Sequence, residues 1–375
     1  MALAAVLLLM VLAGALVYCV LVVLAARHYL AVRPPAPARI EPISILKPFH
    51  GLDEGLEANM RSWFGQRYPD FEILCAVRGP GDPAIALVEK LRQEFPHVPA
   101  RLLVTGEPPY ANAKVFSLDR MLAAARHDLV VMSDSDTRAQ PDLLATVAAE
   151  FQEPRLGVAT CPYRAVPGRS FWSTLEAMMM NTEFLAGLLV ARLVEGVRFA
   201  VGPSVAARRE ALQRIGGFER LKDYLAEDFV MGALAAEAGY QVIMSSAVIE
   251  HRIGAQCFRA NFAHRLRWVR STRRSRPWGY LGQLFTYPLP LALLLVALKP
   301  AWWPVLAATA VLRAYAAWAT AGWVLRDPLT ARRWWLLPLQ DVTSFLLWLA
   351  GFFGNTVVWR GRRYRLMADG RFEPV

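Results

Sequence analysis

From Ala2 to Ala26 the chain runs through 25 residues without a charge. As a helix that is long enough to cross the hydrocarbon core of a bilayer. Arg27, His28, Arg33 and Arg39 follow at once. Basic residues flanking a span mark its cytoplasmic side, so the chain after residue 27 is expected there. The run has no basic residues before it and is longer than a signal-peptide core, which favours a retained anchor over residues 1–32. "RPPAPA", 33–38, reads as a short stiff linker. The last third is apolar again, with candidate spans at Leu284 to Leu298, Trp302 to Leu325 and Leu336 to Trp359. The first is short and holds Pro288 and Pro290, the pattern of a broken or re-entrant segment. Trp302, Trp303, Trp334, Trp335 and Trp359 sit at segment ends, as interfacial anchors do. Three full crossings would leave the tail "RGRRYR" (360–365) outside, against the charge rule; two crossings and an interfacial segment would keep it inside.

Between the apolar ends, apolar and polar positions alternate in shorter periods. "ISILKP" (43–48), "FEILCAVRG" (71–79), "ARLLVTG" (100–106) and "DLVVMSD" (128–134) have the β-rich, turn-bounded form of buried strands. "PAIALVEKLRQEF" (83–95) and "AKVFSLDRMLAAA" (113–125) have helical spacing, the first opened by Asp82 and Pro83. Strand and helix in alternation predict an α/β fold with a mostly parallel, Rossmann-like sheet. The expected organisation is an anchor (1–32), a catalytic domain (41–263), a basic interfacial helix region (264–283), C-terminal membrane segments (284–360) and a basic tail (361–375). Ligands of such sheets bind outside the carboxyl ends of the strands. Asp82 and the run Ser133-Asp134-Ser135-Asp136 fall there.

Composition agrees with a membrane protein: 55% of residues are hydrophobic and 19% charged, with a mean hydropathy of +0.28. The net charge of +11 is unevenly placed. "HRLRWVRSTRRSR" (264–276) holds six arginines, and no acid occurs between Glu250 and Asp327. Basic charge beside apolar spans fits an anionic membrane surface and argues against nucleic acid. The four cysteines match no metal or disulfide pattern and read as isolated thiols.

Two aspartates one residue apart at the end of a buried strand repel each other. A hard cation such as Mg²⁺ or Mn²⁺, which brings substrate phosphates with it, removes the conflict. A bare Asp-x-Asp is equally an Asx-turn with solvated acids. Further residues weigh on the choice. Glu227-Asp228 opens an apolar run and is either a helix start that welcomes acids or a general base near the same pocket. Arg267 has the fork to meet a diphosphate, while Arg270, Arg273, Arg274 and Arg276 could face lipid. Lys114 is a phosphate or sugar contact, or an exposed helix-start lysine. His251 and His264 are open in the same way. A P-loop and a G-x-G-x-x-G motif are both missing from the sequence.

Taken in order, "GDPAIALVEKL", "SDSD", "LAEDF" and "HRLRW", followed by apolar spans, resemble the ceramide glucosyltransferase family (glycosyltransferase family 21, GT-A fold). "ILKPFHGLDEGLEANMRSWFGQRYPDFEIL", "NAKVFSL" and "GGFERLKDYLAED" are similar to it as well, so the resemblance covers about Ser44 to Pro288. His264 stands where the family has Gln or Arg. That variant resembles the related bacterial hopanoid-associated glycosyltransferases.

The resemblance implies an inverting hexosyl transfer from a UDP-sugar donor to a lipid hydroxyl. Ceramide is the first expected acceptor. Transfer of N-acetylglucosamine or another hexose to a hopanoid polyol or diacylglycerol is the alternative. It implies that Asp82 holds the uridine. Asp134 and Asp136 would hold the donor and a Mg²⁺ or Mn²⁺, with Asp228 as general base. Arg267 would neutralise the diphosphate, and Trp268 and His264 would wall the site. The expected location is a bacterial inner membrane with the catalytic domain facing the cytoplasm. A processive polysaccharide synthase and a catalytically silent membrane scaffold are the rival classes.

Overall fold

The computed structural model describes residues 2–34, 39–359 and 361–375. Most of the 33–38 linker lies outside the described residues. The chain builds two compact units: Arg33–Tyr163 with Val197–Gly254, and Met1–Val32 with Arg164–Gly196 and Ala255–Val375.

The first unit is built on strands β1 (Ile43–Pro48), β2 (Phe71–Val77), β3 (Ala100–Val104), β4 (Leu129–Ser133), β5 (Thr137–Arg138) and β6 (Leu156–Thr160). After β7 (Tyr163–Pro167), which leaves this unit, come β8 (Ser204–Arg208), β9 (Gln241–Met244) and β10 (Ile249–Ile253). Seven of them form one sheet in the order β3-β2-β1-β4-β8-β6-β9. β8 runs antiparallel to both its neighbours; the other pairings are parallel. β2 and β4 are buried throughout, which is why they read as continuous apolar runs rather than as alternation. The apolar faces of helices Ala113–Ala124 and Glu227–Glu237 pack on this sheet through Val115, Leu118, Met121, Met231 and Ala235. Register sets the site: Ile43 pairs with both Phe71 and Leu129, so β1, β2 and β4 end at the same edge. Leu46 stands level with Met132, which brings Lys47 beside Ser133.

Three helices of the second unit are long and apolar enough to cross a membrane: Leu3–Ala31, Phe171–Val194 and Pro300–Val324. Pro277–Thr286 and Pro288–Leu298 form a pair bent by 60°, in keeping with the broken segment expected around Pro288.

Two expectations need correction. Residues 41–263 are not one continuous domain, because Phe171–Val194 belongs to the helical unit. Glu176, Asn181, Thr182, Glu183 and Arg192 interrupt its apolar run and hide it from a search for uncharged stretches. Leu336 to Trp359 is not one span either. Its helix is Leu337–Gly351, and Thr356–Trp359 is a strand that pairs antiparallel with Arg362–Leu366, which holds most of the basic tail.

The arginine-rich helix is Phe258–Ser275, and part of its charge faces inward rather than toward lipid. Arg270 donates to the carbonyls of Phe353 (3.0 Å) and Thr356 (2.6 Å). Arg273 donates to those of Phe352 and Gly354. These cations cap the carboxyl end of helix Leu337–Gly351, where free carbonyls favour positive charge. Arg276 pairs with Glu195.

Candidate active site

β4 ends at Ser133, and the turn Asp134 to Asp136 returns as β5. Side chains tie the turn down. Ser133 Oγ and Thr137 Oγ1 are 2.7 Å apart, Thr137 Oγ1 donates to the Asp134 carbonyl at 2.8 Å, and Asn59 Nδ2 donates to the Ser135 carbonyl at 3.3 Å. The fully buried Lys47 reaches the same turn from β1. Its ammonium donates to the Asp134 carbonyl and to Thr137 Oγ1 at 3.0 Å, and lies 4.7 Å from the centre of the Trp63 ring. Burial pushes Lys47 down to about 7, against the pull of Asp134 and Asp136. In "ISILKP" this lysine looks like an ordinary strand-end residue. The one signal was a charge inside a run otherwise fit for a buried strand.

Lys114, at the start of helix Ala113–Ala124, joins two acidic elements. Its Nζ lies 2.8 Å from Asp134 Oδ1 and 3.1 Å from Glu227 Oε1. Burial lowers it, but Asp134, Glu227 and Asp228 outweigh burial and hold it above the usual lysine value. The exposed-lysine reading is therefore excluded. Asn112 caps this helix by accepting from the Val115 N–H at 3.2 Å. It also donates to the Tyr224 carbonyl at 2.9 Å, tying the loop before Glu227 to the same place.

Asp228 lies in the first turn of helix Glu227–Glu237. Its Oδ1 accepts from the Phe229 N–H at 2.8 Å and its Oδ2 from the Gly202 N–H. Gly202 has φ +50°, a left-handed conformation that glycine adopts most readily. Burial and the charge of Glu227 raise Asp228 to about 6, against Lys114 and these two N–H groups. A carboxylate poised there can exchange a proton near neutral pH.

The two acids of the turn part company. Burial raises Asp134, opposed by Lys114 and assisted by the charge of Asp136. Burial acts on Asp136 too, but His251, Lys47 and Lys114 together outweigh it and bring Asp136 below the ordinary carboxylate range. His251 Nε2 lies 3.1 Å from Asp136 Oδ2, and its ring meets Tyr163 edge-on at 5.3 Å. Asp136 Oδ1 is buried and has no hydrogen-bond partner. An ionised, orphaned oxygen is what a hard cation would use. Among the described residues no group of three or more His, Cys, Asp or Glu could hold a metal by itself. The unpartnered Oδ1 of Asp136 fits Mg²⁺ or Mn²⁺, which commonly take one or two carboxylates and complete their shell with phosphate oxygens and water.

Asp82 follows β2. Its Oδ1 accepts from the Ala84 N–H at 2.9 Å and its Oδ2 from the Gly51 N–H at 3.1 Å, so it fastens two loops at one sheet edge. Asp134, Asp136, Lys114 and Asp228 thus share one electrostatic cluster, and Asp82 lies in the loop after β2, which β1 separates from β4. His264, Arg267 and Trp268 belong to the helical unit, on helix Phe258–Ser275. His264 Nδ1 lies 2.6 Å from the fully buried Glu176. Trp268 packs on the His264 ring at 5.0 Å and on Phe184 at 6.0 Å. Arg267 is half-buried.

A mostly parallel sheet with an acidic turn at the end of β4 and a carboxylate-bearing helix start is the arrangement of GT-A glycosyltransferases. A mannosyltransferase from Pyrobaculum calidifontis, solved in complex with GDP-Man and Mn²⁺, shares the fold. Its TM-score is 0.58 at 19% identity, covering 92% of this chain and 98% of that one. The Glycosyl transferase family 21 profile matches residues 6–372, and the chain belongs to that family. Ceramide glucosyltransferase 1 of Caenorhabditis elegans is 31% identical over 206 residues, 54% of this chain and 44% of that protein. Ceramide glucosyltransferase of Komagataella phaffii is 36% identical over 106 residues, 27% and 21% of the two chains. The matched part spans less than half the length of these relatives.

Two substitutions test this geometry. A Cβ added to Gly232 would lie 2.1 Å from the Ala200 backbone nitrogen and 2.3 Å from the Phe199 carbonyl carbon. Gly232→Ala, which in a free helix would stabilise by up to about 1 kcal/mol, is expected here to destabilise by about 1–3 kcal/mol through overpacking. Denaturant unfolding of the detergent-solubilised protein measures the sign. Lys47→Met removes a buried cation bonded to the acidic turn and is expected to cost about 2–4 kcal/mol. An unchanged unfolding midpoint would show that the turn does not depend on it.

Proposed function

We propose that the chain is an inverting hexosyltransferase that moves sugar from a UDP-sugar to a hydroxyl of a membrane lipid, with ceramide as the first acceptor to test. The observation that carries this reading is Asp228: a buried carboxylate raised to about 6, fixed by two backbone N–H groups, in one cluster with the turn acids. The likeness to proteins named ceramide glucosyltransferases supports the choice of substrates. A hopanoid polyol or diacylglycerol is the alternative acceptor.

In this reading Asp228 takes the proton of the attacking lipid hydroxyl. Its two N–H bonds fix the orientation of the carboxylate, which is general-base positioning. Asp82 holds the uridine side of the donor at the edge of β2. Asp134, held by Lys114, would meet the sugar, and Asp136, whose Oδ1 has no partner, would hold Mg²⁺ or Mn²⁺. When bound, the cation supplies Lewis-acid stabilisation of the departing diphosphate. Lys114 adds positive charge for that leaving group; by the family resemblance Arg267 would do the same, and Trp268 and His264 would wall the acceptor side. Arg27, His28 and Arg33 after the first span favour a cytoplasmic catalytic unit, in a bacterial inner membrane. An anionic membrane surface would meet the arginines not engaged within the helical unit.

Asp228→Asn is expected to abolish transfer while leaving UDP affinity within about threefold. Its melting temperature at pH 8 should be unchanged or higher. A folded-state value of about 6, above the ordinary aspartate 3.8, favours folding only in acid. That contribution is lost as pH rises through about 6, and asparagine does not incur the loss. The same value sets the rate profile of the free protein: kcat/KM should fall tenfold per unit below about pH 6 in the wild type. Full turnover in Asp228→Asn would remove the base assignment. EDTA should abolish transfer and excess Mn²⁺ or Mg²⁺ restore it, followed by release of UDP; rates indifferent to EDTA would return the turn acids to a purely structural part.

A further inference from the structure

The longest arginine run of the helical unit is largely engaged within the protein. Arg270 and Arg273 bond to backbone carbonyls and Arg276 to Glu195. Arg332 and Arg333 differ. Both are exposed, and neither guanidinium has an ion pair or a hydrogen bond among the described residues. Trp334 and Trp335 follow them directly and are 64% and 55% exposed. The stretch "RRWW" (332–335) thus presents two cations and two indoles side by side.

The stretch is held from behind. Buried Asp327 caps helix Pro328–Arg333. Its Oδ1 accepts from the Leu329 N–H and its Oδ2 from the Thr330 N–H, both at 3.0 Å. Oδ2 also accepts from Asn181 Nδ2 at 3.0 Å and from the Thr330 hydroxyl at 2.6 Å. On the far side of the stretch, Leu336 and Leu337 are buried against Leu175, Met178 and Ala317. Both ends are therefore fastened inward, and the four exposed side chains lie on a fixed backbone rather than on a loose tail.

Its place is the end of two spans. In helix Leu3–Ala31, Leu12 and Ala15 cluster with Trp302, Val305 and Leu306, and Cys19 and Val22 with Ala316. The Arg27 guanidinium lies 5.6 Å from the centre of the Trp323 ring. Helices Leu3–Ala31 and Pro300–Val324 thus run in the same direction and end at one face, beside which "RRWW" follows. Asp327 is the one acid between Glu250 and Asp341, and it is turned inward, so nothing in that stretch offsets the two arginines. Indoles settle at the level of lipid head groups, and guanidinium groups match phosphate oxygens. A patch at the rim of apolar spans already lies beside those head groups, which favours lipid over a soluble protein as its occupant.

We propose that Arg332, Arg333, Trp334 and Trp335 form a docking site for the head groups of anionic phospholipids in the leaflet at this end of the spans. The site depends on the membrane placement proposed above and not on the transfer chemistry, so either can fail alone. The full-length protein in detergent is titrated with phosphatidylglycerol or phosphatidylcholine, without sugar donor, and bound lipid is counted by native mass spectrometry. A basic side chain near an anionic surface strengthens binding by about fivefold, so the wild type should prefer phosphatidylglycerol by roughly 25-fold. The double variant Arg332→Gln, Arg333→Gln should lose most of that preference, and Arg332→Lys, Arg333→Lys should keep most of it. Arg362→Gln, Arg363→Gln, on the exposed strand of the tail, should leave it unchanged. Equal binding of the two lipids by the wild type, or an undiminished preference in the glutamine variant, would overturn the site. Displacement of the lipid by inorganic phosphate at the same concentration would overturn it in favour of a plain anion site. A wild-type dimer that Trp334→Ala, Trp335→Ala abolishes would overturn it in favour of a protein contact. If the glutamine variant fails to fold, fluorescence decides. Phosphatidylglycerol with brominated chains should then quench the wild type more than brominated phosphatidylcholine does, and the excess should vanish in Trp334→Phe, Trp335→Phe; an excess that persists there would overturn the site.

Discussion

The catalytic unit depends on the ammonium of Lys114 standing between Asp134 and Glu227. Without it, Asp134, Asp136, Glu227 and Asp228 would crowd one strand edge with Lys47 and His251 to offset them. Lys114 joins the turn after β4 to the helix that carries Asp228, two segments almost a hundred residues apart in sequence. Lys47 and Lys114 together still leave the four carboxylates in excess. Burial first, and the neighbouring charges of Asp136 and Glu227 after it, raise Asp134 and Asp228, and Oδ1 of Asp136 is left without a partner. A site left short of positive charge in this way favours a divalent cation, and the cation would in turn bring in a diphosphate.

Much of this was legible in the sequence because the relevant signals are local. The first four strands and two of the three helices between them matched their apolar periods to within about two residues, since buried parallel strands and amphipathic helices carry their own patterns; helix Leu56–Phe64 was not anticipated. Asp134 and Asp136 were legible for the same reason: a strand that ends in acids is visible without knowing its neighbours. Lys47 was not, because its meaning comes from register. It matters only because β1 pairs with β4 so that it stands level with Ser133. The pairing of His251 with Asp136 likewise requires β10 to lie beside β5, a long-range fact that no local pattern records.

The membrane segments were misread where polarity serves packing. Phe171–Val194 was hidden by the residues that make it informative, since Glu176, Asn181, Thr182 and Glu183 find partners inside the helical unit. Arg270 and Arg273 posed the opposite problem. A run of arginines reads as a surface for anionic lipid, but the end of helix Leu337–Gly351 offers unpaired carbonyls that bind guanidinium groups at least as well.

The order of segments along the chain has a consequence for how the Asp228 carboxylate is held. The stretch that supplies the Gly202 N–H to Asp228 begins at Val197, directly after helix Leu185–Val194 of the other unit. Its backbone also meets helix Glu227–Glu237 at Gly232, where only a hydrogen fits. Residues 199–200 are thus held sterically by the helix whose first turn carries the carboxylate. A carboxylate oriented by main-chain donors in such a stretch needs no side chain to position it. The left-handed backbone at Gly202 and the missing side chain at Gly232 therefore shape this site as directly as its acids do.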